Sequence, residues 1–197
     1  MNIDEVRDEW DAEADTYDSE PDHGMLAVAT REAWWRLLET LLPSAPARVA
    51  DLGCGTGSVS VLLAEHGFDV RGMDISPRML GHARAKAEAA GQSVRFALGD
   101  VADPDLELAS IDVVLSRHVV WALPDPADAI RNWLHLLAPN GRLVLVEGRW
   151  GAAGLTAESL SRIVEPHVRQ VRLVPLDDPL LWGKAIDDER YALVAEV

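Results

Sequence analysis

The apolar positions of this chain change their period near residue 48. Before it, Ile3, Val6, Trp10, Ala14 and Tyr17 recur at steps of three and four, which predicts an amphipathic helix with one narrow apolar stripe. Ser19-Glu20-Pro21-Asp22-His23-Gly24 predicts a turn, after which Met25, Leu26, Ala29, Ala33, Leu37 and Leu41 mark a second helix that Pro43 stops. Beyond residue 48, short apolar runs alternate with helical spacing. Strands are predicted at 48–52, 68–74, 94–98, 111–116 and 142–147, with helices at 59–66, 77–90 and about 126–137 between them. A loop at 148–154, a short helix near 157–165 and strands near 168–174 and 191–197 complete the pattern. Such alternation implies α/β architecture, a doubly wound, mostly parallel sheet with helices on both faces. No crossover helix separates the last two strands, so they are expected to pair antiparallel at an edge.

Size and charge narrow the possibilities. A chain of 197 residues fits one domain, which buries about 70% of the surface its unfolded form exposes. Mean hydropathy is near zero, and no apolar run approaches the roughly 20 residues a bilayer span needs, so no membrane partner is expected. The opening Met1-Asn2-Ile3-Asp4-Glu5 is acidic and lacks the apolar core of a signal peptide, so a cytoplasmic address is expected. Cys54 is the single cysteine, which excludes an internal disulfide, and between two glycines it reads as a small packing residue. A net charge of -15 argues against a nucleic-acid partner, because phosphate binding needs a basic face. A small molecule or a protein fits better. Residues 1–24 hold ten acidic side chains against Arg7 alone, the usual mark of a solvated helix face.

Candidate chemistry centres on V-A-D-L-G-C-G-T-G-S at 49–58, three glycines between a buried strand and a helix. Glycine allows the sharp turn and lets a ligand approach bare backbone, while the helix start offers unpaired N–H groups. A turn of this kind also binds dinucleotides, or simply packs tightly. Three acids close successive strands: Asp51, Asp74 and Asp100. A carboxylate about 20 residues past the glycine turn, as Asp74 is, can accept hydrogen bonds from both hydroxyls of a ribose; the alternative is that each acid caps the next helix.

Taken in order, D-L-G-C-G-T-G-S at 51–58, V-R-G-M-D-I-S at 70–76, G-D-V-A-D at 99–103 and L-L-A-P-N-G-R-L-V-L-V-E at 136–147 resemble the class I S-adenosylmethionine-dependent methyltransferases, over about residues 25–197. The resemblance implies a Rossmann-like sheet of seven strands with an antiparallel last strand, and S-adenosyl-L-methionine as cofactor. It implies that Gly53, Gly55 and Gly57 hold the methionine portion, with Asp51 near its amino group. Asp74 would bind the ribose diol, Ile75 would pack on the adenine, and Asp100 with Val101 would address the adenine edge. Dehydrogenases instead show G-x-G-x-x-G; here the third glycine comes one position early, and no Tyr-x-x-x-Lys pair is evident. A nicotinamide-dependent oxidoreductase is therefore the first rival, and a non-catalytic binder of the same cofactor the second.

The loop S-R-H-V-V-W at 116–121 lacks the N/D-P-P-Y/F element of methyltransferases acting on nucleic-acid bases or protein glutamine, so the chain resembles the small-molecule branch. Ser116 and Arg117 would then touch the cofactor. His118 is the first candidate general base and His23 the second, since imidazole takes up a proton near neutral pH; a helix-start or core histidine is the competing reading of His118. A segment at 1–24 carrying Trp10 and Tyr17 could close as a helical lid over a domain at 25–197, with Tyr17 against the cofactor and its acidity suited to a sulfonium. Trp10, Trp121, Arg149 and Trp150 are expected at the acceptor, Arg149 pairing with an acidic group there; core or interface packing is the competing reading of these tryptophans and a plain surface position that of Arg149, while Trp34, Trp133 and Trp182 read as packing. No metal is expected, because no histidine and acid cluster shows ligand spacing.

Overall fold

The computed structural model describes residues 3–197; Met1 and Asn2, the start of the acidic segment, lie outside the described residues. One sheet organises the chain. Its strands are β1 (Arg48–Leu52), β2 (Asp69–Asp74), β3 (Arg95–Leu98), β4 (Ile111–Arg117), β5 (Leu137–Trp150), β6 (Ala153–Gly154), β7 (Gln170–Pro175) and β8 (Glu189–Glu196). Their order is β3-β2-β1-β4-β5-β8-β7, with the two-residue β6 paired to β5 beside this seven-strand path. Strands β1 to β5 run parallel, and β8 runs antiparallel to both β5 and β7. The connection between β7 and β8, residues 176–188, holds only the one-turn helix α8 (Pro179–Trp182) and no crossover helix.

Side chains alternate between two cores, as strand geometry requires. Val49, Val113 and Val144 face one layer with Trp34, Leu38, Leu63 and Trp182. Ala50, Val114 and Leu143 face the other with Ile130, Trp133, Leu160 and Leu193. The covering helices are α3 (Val28–Leu41), α4 (Ser58–Glu65), α5 (Pro77–Ala89), α6 (Pro126–Leu136) and α7 (Ala157–Val164). Their starts carry the expected signals: the Ser76 hydroxyl accepts from Met79 N at 3.0 Å and Asp125 accepts from Asp128 N at 2.9 Å, each followed by a proline in the first turn.

The structure corrects three sequence expectations. The predicted N-terminal helix breaks: α1 covers Ile3–Glu13, and Tyr17–Ser19 form a separate 3-10 turn. The Thr16 hydroxyl donates to the Glu13 carbonyl at 3.2 Å, a local bond that competes with helix continuation. The expected turn at 19–24 contains a one-turn helix, α2 (Pro21–Gly24), and left-handed Met25 delays the next helix to Val28. Finally, β5 extends well beyond 142–147. Its pairing with β4 skips from Leu137 to Arg142, so Pro139-Asn140-Gly141 is absorbed as an irregularity, and the expected loop after Gly148 folds back as the β5–β6 hairpin.

The acidic face of the N-terminal segment is also partly docked. Asp11 accepts from the Ser76 hydroxyl and from Arg78 N, and Asp15 pairs with Arg78 at 2.5 Å and His82 at 3.0 Å. Asp18 accepts from the Thr56 hydroxyl at 2.6 Å and pairs with Lys86 at 2.9 Å. Among the described residues no helix is long and apolar enough to cross a membrane.

Trp133 is fully buried and donates its indole N–H to the Val101 carbonyl at 2.6 Å. Trp133→Ala leaves a cavity and strands that carbonyl, so we expect a loss of about 3–5 kcal/mol of stability, measured as a lowered urea midpoint at unchanged slope.

Candidate active site

The turn after β1 sets the floor of the site. Gly53 N and Cys54 N both donate to the Met73 carbonyl of β2, at 2.8 and 3.0 Å, which bends the chain sharply as it leaves the sheet. Gly53, Gly55 and Gly57 all have positive φ, so each needs glycine. Their surroundings differ. A Cβ on Gly53 would collide with Val119, whereas one on Gly57 would stand 2.8 Å from the Ala83 Cβ; Gly57 thus packs α4 against α5. Gly53 and Gly55 line a cleft of about 910 Å³ counting its open mouth, and Gly57 does not.

Two buried carboxylates stand at this turn. Asp74 Oδ2 accepts from Gly55 N at 2.8 Å and Oδ1 from Ser76 N at 2.9 Å, and its side chain lines the cleft. Asp51 accepts from the Ser60 hydroxyl at 2.5 Å and faces a smaller adjoining recess. Burial raises both pKa values, that of Asp51 to about 6. Neither forms an ion pair among the described residues. Ile75, Asp100 and Val101 line the same cleft; Asp100 is exposed and accepts from Ala102 N at 2.8 Å. Burial pushes the Cys54 thiol well up, which leaves it unreactive.

The segment after β4 forms the opposite wall. Ser116 is fully buried and donates to the Leu52 carbonyl at 2.8 Å, tying β4 to β1 rather than facing the cleft. Arg117 lines both recesses; its guanidinium donates to the Asp22 carbonyl at 2.6 Å and lies 5.0 Å from the Trp34 ring. His118 lines the cleft in a left-handed conformation, φ 61°, with Trp150 edge-on at 4.9 Å and Trp182 stacked at 5.9 Å. Burial and the Arg117 charge hold its pKa well below the ordinary histidine value. His23 belongs to the smaller recess, stacked on Tyr17 at 4.1 Å, and its pKa is lowered by the same two causes.

Ile3, Val6, Trp10 and Tyr17 supply the N-terminal wall of the cleft. Trp121 and Trp150 meet at 6.1 Å beside His118 without lining it, and the Trp121 indole donates to the His118 carbonyl at 3.0 Å. Arg149 is exposed and turns onto the Gly151 carbonyl at 2.8 Å. Folding also brings together Asp22, His23 and His118, whose donor atoms lie within 4.8 Å of one another, a cluster that linear spacing concealed.

Sequence reasoning missed Glu147. This carboxyl is fully buried at the sheet end, where Oε1 accepts from Val119 N at 2.9 Å and Val120 N at 2.8 Å, while Oε2 has no hydrogen-bond partner. It pins the loop that carries His118. The available signal was one acid closing an apolar run, L-V-L-V-E. Burial raises the Glu147 pKa to about 7, so the folded state binds a proton that the unfolded chain, with an ordinary value of 4.5, releases. The contribution to stability is therefore lost as pH rises from 4.5 through 7. Relative to Glu147→Gln, we expect the natural protein to gain up to about 3 kcal/mol on acidification from pH 8 to 5, read by denaturant unfolding at each pH.

Residues 50–145 match the family model described as a methyltransferase domain. The chain is 41% identical over 118 residues to trans-aconitate 2-methyltransferase of Streptomyces coelicolor, covering 56% of this chain and 38% of that protein. It is 37% identical over 114 residues to demethylmenaquinone methyltransferase of Thermus thermophilus, covering 57% and 52%. The matched stretch is thus at most about half the length of these relatives. The crystal structure of N-methyltransferase NodS from Bradyrhizobium japonicum, in complex with S-adenosylhomocysteine, superposes with a TM-score of 0.74 at 23% identity, over 95% of this chain and 97% of that one, a likeness of fold. Residues 50–145 thus carry a methyltransferase domain, and the sheet order and strand-end motifs agree with the resemblance to the class I S-adenosylmethionine-dependent methyltransferases.

Proposed function

We propose that the chain transfers a methyl group from S-adenosylmethionine to a small-molecule acceptor and releases S-adenosylhomocysteine. The observation that carries this reading is the pair of buried carboxylates, Asp51 and Asp74, that flank bare glycine backbone and form no ion pair among the described residues. When bound, the cofactor supplies an electrophilic methyl group on a positively charged sulfur.

Asp51, its pKa raised to about 6 by burial, is suited to an ammonium group, which would stabilise its charged form. Asp74 keeps lone pairs free beyond those occupied by Gly55 N and Ser76 N, and these would accept the ribose hydroxyls. Ile75, Val101 and Met79 would enclose the adenine, with Asp100 at its edge, and Arg117 would meet the carboxylate of the methionine tail. Gly57 and Ser116 support this reading as packing residues rather than as contacts.

His118 is neutral near pH 7 and can take a proton from a hydroxyl or amine, with His23 behind it. The burial that keeps its ring neutral also makes its protonated form costly. Positioning and exclusion of water therefore supply most of the acceleration. The segment at 3–24 acts as the lid: Ile3, Val6, Trp10 and Tyr17 close the cleft, and the acid pairs with α5 hold them there. Val119, Ala122, Leu123 and Pro124 give the cleft an apolar side suited to an acceptor with an apolar body. Trp121 and Trp150 buttress that side, and Arg149 stands outside it. The relatives named for trans-aconitate and demethylmenaquinone agree with a small-molecule acceptor. The charge of -15 speaks against a nucleic acid, and the lone cysteine agrees with a cytoplasmic address.

Titration calorimetry tests the cofactor site. S-adenosylmethionine should bind, and Asp74→Ala and Asp74→Asn should each weaken it by about tenfold or more, since a charge-assisted hydrogen bond contributes about 1.5–3 kcal/mol. No uptake, uptake of a nicotinamide dinucleotide instead, or undiminished uptake by both variants overturns the reading. In a screen for S-adenosylhomocysteine release, His118→Ala should cut turnover about 100-fold at unchanged cofactor affinity. Binding without release to any acceptor would point to the non-catalytic alternative.

A further inference from the structure

From the convergence of Asp22, His23 and His118 we infer a binding site for a borderline divalent transition-metal cation, of the Zn²⁺ class, on the inner wall of the cleft. The three donor atoms lie within 4.8 Å of one another, and Asp22 Oδ2 is 3.6 Å from His23 Nε2. Tetrahedral ligands at zinc distances stand about 3.4 Å apart, so small side-chain adjustments complete the set. Two imidazoles and one carboxylate select zinc-like cations over Mg²⁺, which demands oxygen ligands.

Each imidazole also keeps one buried ring nitrogen, Nδ1 of His23 and Nε2 of His118, without a hydrogen-bond partner among the described residues. Folded proteins normally pair such atoms, so two in one cluster call for an explanation. A cation at His118 Nε2 accounts for one of them; His23 turns Nε2, not the unpaired Nδ1, toward Asp22. The ligands sit on braced backbone: α2 is held by the Arg117 bond to the Asp22 carbonyl, and His118 by its own N–H on the Val146 carbonyl at 2.9 Å. Ring stacking fixes their faces, with Tyr17 on His23 and Trp182 on His118.

Arg117 opposes the cation. Its Nη1 forms a long, buried ion pair with Asp22 Oδ2 at 3.9 Å, which competes for the carboxylate and adds repulsion, so binding is weaker than at a closed structural zinc site. Occupancy would tie up both imidazoles that could receive the acceptor's proton. The cation and proton transfer to these histidines are therefore alternatives, and the cation acts as a brake. The site itself does not depend on the methyl-transfer reading.

Equilibrium dialysis against ZnCl₂ tests it. One equivalent should bind, with affinity reduced at least tenfold in His23→Ala and in His118→Ala and unchanged in His82→Ala, which alters only the exposed pair with Asp15. Co²⁺ added to the natural protein should develop visible d–d absorption that Zn²⁺ bleaches, a readout that stands even where a variant fails to fold. Uptake below stoichiometry, uptake equally strong for Mg²⁺, uptake retained by both His23→Ala and His118→Ala, or no cobalt spectrum overturns the inference. S-adenosylmethionine titration in the same samples reports on the cofactor site separately.

Discussion

The architecture of the site depends on three backbone amides at the end of β1. Gly53 and Cys54 donate to one carbonyl of β2 and Gly55 donates to the Asp74 carboxylate, so the mouths of the two adjacent strands are joined before any ligand is considered. The amides can converge only because the chain is bare and left-handed at 53 and 55. With that turn in place, Val119 rests on Gly53 and the loop after β4 acquires its floor. Glu147 then fixes the other side of the loop through two amides, which leaves His118 little freedom to relax its positive φ.

Charge is distributed to match. The carboxylates that face inward, Asp51, Asp74 and Glu147, all have pKa values raised by burial, and each would be stabilised by a cation or a proton. On the N-terminal segment, Asp15 and Asp18 point across to α5 and find Arg78, His82 and Lys86. The excess acid of this chain therefore serves two distinct purposes, one electrostatic at the cleft and one mechanical at its cover.

Much of this was legible in the sequence because the signals were local. Strand and helix periods located the sheet, Ser76-Pro77 and Asp125-Pro126 marked helix starts, and the glycine turn with its strand-end acids located the cleft. What escaped was set by long-range geometry. Gly57 carries the same local signal as Gly53 but meets Ala83, and Ser116 turns into the sheet to bond Leu52. The break after Glu13 follows from where Asp11, Asp15 and Asp18 find partners on α5, and no apolar stripe encodes that. Asp22 and His23 lie some 95 residues from His118, so only the fold reveals their meeting.

The anchoring of α2 has one further consequence. The Asp22 carbonyl is clamped by Arg117, and Pro21 packs so closely on Gly183 that a side chain there would strike it. Chain beyond residue 21 is thus fixed to the body, while the stretch before it is held by Ala14 and Tyr17 packing together with charge pairs to α5, of which the solvent-facing ones weaken with salt. If that stretch opens as the proposed lid, its fulcrum would lie at Glu20-Pro21, and ionic strength would bear on the opening without reshaping the floor formed by Gly53 and Gly55.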